Sequence, residues 1–327
     1  MKFVRFLLLI AVLLGAAVFY YAYLPFGPSA ETFVDIPAGA GSMGVASRLE
    51  GAGVIRSRYW FLAMHEVHGG TLHAGEYRFD HAATLPEVHR RIVKGDVYTR
   101  TLVIPEGYNV FDIAQAVQNA GLGTAAEFLE GARRDTHLIA DLSPGAASLE
   151  GFLFPDTYKF SRHTGVDGML AVMVKRFRQV AAQMNLAAGP EVARTVTMAS
   201  LIEKEVRNDA ERPVVAGVFD NRIARGMPLA TDPSVIYAAL LANRWRGTIY
   251  QSDLAFDSPY NTYRHAGLPP GPIANPGVAA LKAAMHPATT DYLYFVADAS
   301  GNTRFSVDLK EHAAQVQEYR AAEKLKQ

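Results

Sequence analysis

From residue 6 to residue 24 the chain carries no charged side chain, and Lys2 and Arg5 stand just before that run. At about 1.5 Å of rise per residue, a helix of this length crosses a hydrocarbon core of about 30 Å. Phe19, Tyr20, Tyr21 and Tyr23 collect at its far end, where aromatic rings prefer the membrane–water interface. The positive-inside rule keeps Lys2 and Arg5 in the cytoplasm and places everything after Pro25 outside it. A cleaved signal peptide is the alternative. The run is long for a signal-peptide apolar region of about 7–15 residues, and no clear small-x-small site follows it. The sequence therefore predicts a cytoplasmic stub, a single-pass anchor and a breaker-rich linker within residues 1–30, ahead of an extracytoplasmic body.

The body draws on a chain of 327 residues, half of them hydrophobic, enough for one large domain or a few modest ones. Its 32 basic and 32 acidic side chains cancel, so no strong field favours nucleic acid. The lack of cysteine excludes thiolate catalysis, disulfides and Cys-ligated metals. Ile36-Pro37-Ala38-Gly39 recurs as Ile104-Pro105-Glu106-Gly107. At the same offset, Ala46 and Leu49 recur as Ala114 and Val117, and Ala52-Gly53 as Ala120-Gly121. Each copy reads as a strand, a Pro-Gly turn and a helix stopped by glycine. Between the copies, Gly75-Glu76-Tyr77-Arg78-Phe79 alternates like a half-buried strand. Thr84-Leu85-Pro86-Glu87 forms a capping box that opens a helix ended by Gly95. Such small modules bind a ligand or serve only as scaffold.

Residues 195–207 contain Leu201-Ile202-Glu203-Lys204-Glu205 and read as a helix. At about 100° per residue, Val192, Thr195, Val196, Ala199, Ile202 and Val206 share one arc, and Glu203 falls inside it. Lys204 and Glu205 point elsewhere. Desolvation raises the pKa of a carboxyl on an apolar stripe, as a general acid near neutral pH requires. The alternative is that Glu203 pairs with an Arg or Lys from another element. Helices are also expected over residues 169–185 and 213–225, with Val214, Val218 and Ile223 in the core. Tyr292-Leu293-Tyr294-Phe295-Val296-Ala297 is expected as a buried strand, and Asp308 as the cap of a final helix carrying Val316 and Tyr319.

From Gly226 onward the chain is rich in fixed turns that keep Tyr, Leu and Ile among their prolines, which suits rigid loops lining a groove. His65-Glu66-Val67-His68 has neither the zinc-protease spacing nor an evident third ligand, so no metal is expected. No nucleophile elbow, phosphate loop or dinucleotide fingerprint is present, and no cofactor is expected. A helix-borne carboxyl beside Tyr, Asn, Thr and Asp side chains suits a carbohydrate: ring faces stack on aromatics, and amides and hydroxyls satisfy its OH groups.

Ala199-Ser200-Leu201-Ile202-Glu203-Lys204-Glu205, Val218-Phe219-Asp220-Asn221-Arg222, Leu229-Ala230-Thr231-Asp232-Pro233-Ser234-Val235-Ile236-Tyr237, Tyr260-Asn261-Thr262-Tyr263 and residues 267–277 follow one another in this order. With Ile104-Pro105-Glu106-Gly107, Leu153-Phe154-Pro155-Asp156-Thr157-Tyr158 and the N-terminal anchor, they resemble the YceG-like (MltG) family of membrane-anchored endolytic murein transglycosylases. The resemblance implies an α+β chain with a transmembrane helix, a small LysM-like strand–helix region over residues 31–148 and a mixed α/β catalytic domain over residues 149–327. It also implies peptidoglycan glycan strands as substrate, peptidoglycan synthases as partners, and a single-pass inner-membrane location with the catalytic domain in the periplasm. Cleavage would fall on the β-1,4 bond between N-acetylmuramic acid and N-acetylglucosamine and leave 1,6-anhydro ends. The family's catalytic glutamate matches Glu203, a single carboxyl serving first as acid and then as base.

Thr231, Asp232, Tyr260, Asn261, Tyr263 and Asn275 are the expected glycan contacts, with loop packing or turn capping as the alternative for each. Glu205 either supports Glu203 through Lys204 or an arginine or is merely solvated. A glycan hydrolase would need a second acid, for which Asp232 is the candidate. A non-catalytic wall-binding scaffold is the third possibility. Two positions depart from the family pattern: Ala230 stands where Gln is frequent, and Thr303 interrupts a Gly-His pair before Phe305-Ser306.

Overall fold

The computed structural model describes residues 2–186, 189–206, 208–298 and 302–324. The chain is α+β, and its packing divides it into two units, Met1–Arg100 and Thr101–Gln327. The described strands form three two-stranded sheets, so helices carry most of the core.

In the first unit, α1 (Lys2–Val18) runs into a wider π-type turn over Phe19–Tyr23, giving one apolar helix of 22 residues, Lys2–Tyr23. Its length and composition are sufficient to cross a membrane. The breaker-rich linker is tied down at once, because Phe26 and Ala83 exchange both backbone hydrogen bonds at 2.9 and 3.0 Å. Strand β1 (Thr32–Ile36) precedes α2 (Ser42–Gly51) and α3 (Arg58–His68) and pairs antiparallel with β2 (Gly75–Phe79), Val34 opposite Tyr77. α4 (Leu85–Lys94) opens on the expected capping box and stops at Gly95, left-handed at φ +65°. Val34, Ile36, Leu49, Phe61, Tyr77, Phe79, Val88 and Ile92 fill the core between sheet and helices.

The second unit begins at β3 (Arg100–Val103), which pairs with β4 (Thr157–Phe160). Between them, α5 (Val110–Asn119) and α6 (Ala125–Arg134) are both opened by capping boxes, at Asn109/Asp112 and Thr124/Glu127. Each Pro-x-Gly turn passes through a left-handed glycine, Gly39 at φ +81° and Gly107 at +78°. The two segments nevertheless lie in different units. Residues 101–148 share their core with the rest of the second unit, so the packing units divide after Arg100. The physical reason is α5, whose Ile113, Ala114 and Val117 pack into the same core as Phe152, Phe177 and Val196.

α7 (Val166–Gln183), α8 (Pro190–Glu205), α9 (Arg212–Ala224), α10 (Asp232–Leu241), the single turn α11 (Gln251–Leu254) and α12 (Val278–Met285) follow. α8 is the central element. Every residue from Val196 to Ile202 on it is buried, so it has no solvent face along that stretch. Of the expected α9 core positions Val218 is buried, whereas Val214 and Ile223 are only half-buried. Gly217 on α9 lies where a Cβ would run into the Ala288 carbonyl. Gly217→Ala is therefore expected to destabilise by about 1–3 kcal/mol, measurable by chemical denaturation.

The unit closes with the hairpin β5 (Tyr294–Ala297) and β6 (Thr303–Ser306), followed by α13 (Leu309–Lys324). Asp308 accepts from Glu311 N–H at 2.8 Å, the expected cap. The strand expected over residues 292–297 is shorter and half-buried, with Tyr292 exposed, because its hairpin has only one partner strand. Gly301, in the segment that departs from the family pattern, lies outside the described residues, as does Arg207.

Candidate active site

α8 ends at Glu205, and the two acids of its last turn have opposite surroundings. The Glu203 side chain is 5% exposed and faces the equally buried Arg212 guanidinium at 2.9 Å. Its other carboxylate oxygen accepts the Gly277 N–H at 2.9 Å, at the N-terminus of α12. Glu106 lies beside this group and accepts from Val278 N–H; burial and the nearby Glu203 charge raise its pKa. Two carboxylates thus face the first amides of α12, where the helix dipole favours negative charge, and Arg212 compensates them. A Cβ on Gly277 would overlap the Glu106 carboxylate, so a larger residue there would displace that side chain. Glu203 is paired with a cation from another element, the alternative left open by its position on the helix.

Glu205 has no hydrogen-bond partner among the described residues. Its residue is half-buried, with the carboxyl deep within the protein mass. Burial and the nearby Asp232 charge push its pKa up to about 7 against a smaller opposing effect of Arg222. Its place at the negative end of α8 acts in the same sense. The helical arc placed Glu203 among buried side chains, where it lies, but it could not show that Arg212 faces it.

Asp232, exposed in the first turn of α10, accepts the Tyr263 hydroxyl at 2.7 Å. Tyr263 is itself 40% exposed, and burial together with Asp232 and Glu205 raises its hydroxyl pKa far above the usual value. Arg222 is fixed by three carbonyls, donating to Leu293 at 2.6 Å, Leu229 at 2.7 Å and Pro228 at 3.2 Å. It brings a positive charge to Glu205 that is already held in place. Glu205, Asp232, Tyr263 and Arg222 together form a candidate site, and Arg222 is the member that sequence reasoning did not single out.

Three expected glycan contacts are buried framework instead. Thr231, the N-cap residue of α10, is 2% exposed and shares a hydroxyl network with Thr262 and Ser234. Asn261 is fully buried, donates to the carbonyls of Asp253, Leu254 and Phe256, and accepts from Tyr263 N–H. Asn275 is fully buried as well. It accepts from Leu153 N–H and donates to the Tyr108 carbonyl and to Glu150, a buried carboxyl raised to about 8 by desolvation. These amides have no polar atom left for a ligand, because the turn-rich loops need internal donors and acceptors once water is excluded. Tyr260 is half-buried against Tyr237, their ring centroids 5.1 Å apart. It contributes with Phe111, Leu129, Tyr237 and Leu241 to a mainly apolar cavity of about 240 Å³. Ala230, one of the two departures from the family pattern, adopts a left-handed conformation at φ +52° and donates to the Thr262 carbonyl.

A half-buried carboxyl of near-neutral pKa, near a fixed arginine, a carboxylate and a tyrosine, is equipment for general acid–base catalysis. Residues 34–318 match the model of the YceG-like family, and the chain belongs to that family. An endolytic murein transglycosylase of Bacillus subtilis (strain 168) is 32% identical over 305 residues, covering 88% of this chain and 84% of the relative. One of Streptococcus pneumoniae serotype 2 is 30% identical over 356 residues; the match takes in 97% of this chain and 64% of that longer relative. The crystal structure of a YceG-like protein from Listeria monocytogenes superposes with a TM-score of 0.57 at 31% identity, covering 88% of this chain and 99% of that one.

Proposed function

We propose that this chain is a lytic murein transglycosylase in which Glu205, rather than Glu203, is the single general acid and base. The observation that carries this assignment is the contrast between the two acids. Glu203 faces the buried Arg212 cation at 2.9 Å and accepts the Gly277 N–H, whereas Glu205 has neither partner and a pKa near 7. Protonated Glu205 gives its proton to the leaving glycosidic oxygen between N-acetylmuramic acid and N-acetylglucosamine. The carboxylate so formed takes the proton of the muramoyl C6 hydroxyl, whose oxygen bonds to C1 and closes a 1,6-anhydro ring. One carboxyl returns to its starting state and no water is consumed. Arg222 steadies the carboxylate between the two transfers, and Asp232 keeps the resting group protonated.

Family membership supports an endolytic cut within nascent strands, made from the periplasmic side of the inner membrane beside peptidoglycan synthases. The strand–turn–helix segments over residues 31–148 are proposed as LysM-like glycan contacts. Mass spectrometry of products from purified glycan strands tests the chemistry: 1,6-anhydro termini are expected, and reducing termini would make the enzyme a hydrolase using Asp232 as the second acid.

The pH profile follows from the same groups. Activity needs protonated Glu205 at rest, so the rate is expected to fall as pH rises through about 7. Asp232→Asn removes the like charge that helps keep Glu205 protonated, and should move this alkaline limb to lower pH. An unmoved limb in the measured rate–pH curve would separate Asp232 from the titrating group.

A further inference from the structure

We propose that the first folded unit is itself seated on the bilayer, with the N-terminal turn of α3 at the depth of the lipid interface. This rests on α1 crossing the membrane, and it concerns what lies immediately beyond the crossing. The end of the apolar helix is built into the fold. Ala22 is 3% exposed within the core of the unit, and the Tyr21 ring lies flat on Trp60, with centroids 5.5 Å apart and planes 8° from parallel. Two rings stacked in this way share one depth to within a ring's width.

Arg56 completes the joint. It donates to the Leu24 carbonyl at 2.7 Å and the Pro25 carbonyl at 3.2 Å, just where a helix end leaves carbonyls without partners. Its guanidinium also stands 4.7 Å from the ring centroids of both Tyr20 and Phe26. The interfacial end of the span therefore fixes the depth of Arg56 and Trp60. Tyr59, between them and the body of α3, is 69% exposed, beside Tyr20 at 50% and Tyr23 at 55%. Tyr and Trp with an apolar body and a polar tip, and Arg with a long stem, are the side chains that favour this zone. The occupant of this aromatic face is the bilayer, because the face is continuous with the helix that enters it. A span alone would leave the unit free to tilt; a second contact at α3 gives it one orientation.

The chain has two tryptophans, so Trp245→Phe leaves Trp60 as the sole emitter. The full chain carrying that substitution is reconstituted into phosphatidylcholine vesicles brominated at different depths of the acyl chain. Trp60 emission is expected to be lost most with bromines nearest the headgroup and least with bromines near the chain end. Adding Arg56→Ala should reduce this loss while the chain still floats with the vesicles and keeps its far-ultraviolet circular dichroism. If the chain floats but emission matches that in unbrominated vesicles, or if the deepest bromines quench most, the seating is overturned and the anchor stands. Undiminished quenching in the Arg56→Ala chain overturns the clamp. A chain that fails to float overturns the anchor and the seating together.

Discussion

Glu205→Gln is expected to lower the rate of glycan-strand cleavage by about 10²–10⁴-fold, the usual contribution of a positioned acid–base group. Gln keeps the shape of the side chain but carries no transferable proton, so both halves of the proposed reaction fail. Glu205 makes no hydrogen bond among the described residues, and its replacement breaks no buried ion pair. Removing a carboxyl that burial holds near neutrality should leave the thermal midpoint unchanged or slightly raised, since a carboxyl with a raised pKa costs the folded state stability wherever it is ionised. The sign follows from linkage: the folded carboxyl titrates near 7 and an unfolded one near 4, so this penalty grows as pH rises between them. Single-turnover assays on purified strands, paired with a melting curve, separate the two effects. Full activity in the Gln variant would remove Glu205 from the chemistry.

Glu203→Ala is expected to do the reverse, costing about 1–3 kcal/mol by removing one of the carboxylates that face the buried Arg212 guanidinium, which keeps Asp209 at 2.9 Å. Both side chains are 5% exposed, so water cannot take over the missing partner. The Gly277 amide loses its acceptor as well, and with it the join between α8 and the start of α12. For a unit of this size the loss corresponds to a fall of roughly 2–12 °C in melting temperature. Cleavage per folded molecule should survive well below that midpoint. A Glu203→Ala protein that melts like the parent and yet is inactive would return the catalytic role to Glu203.

Much of the architecture was legible because it is local. The capping box at Thr84 and Glu87, the strand Gly75–Phe79 and the glycine stop at Gly95 depend on neighbours a few residues away, and the structure places all three as their spacing implies. The apolar helix Lys2–Tyr23 is equally plain, since length and lack of charge suffice. The burial of Asn261 and Asn275 was not legible, because a polar side chain in a turn-rich loop looks the same in sequence whether it faces a ligand or a buried carbonyl. Asn261 bonds within its own loop, whereas the partners of Asn275 lie up to 167 residues away, at Tyr108, Leu153 and Glu150.

The amino-acid order by itself determined that the chain begins with a helix fit for a membrane, that an acid pair ends a central helix, and which family it belongs to. Tertiary structure alone set the different surroundings of the two acids. Periodicity does not tell which carboxyl meets a cation from another element and which is left without one. Arg212, Gly277, Asp232 and Arg222 come from other elements, and a carboxyl's pKa is set by whatever charges and solvent surround it after folding.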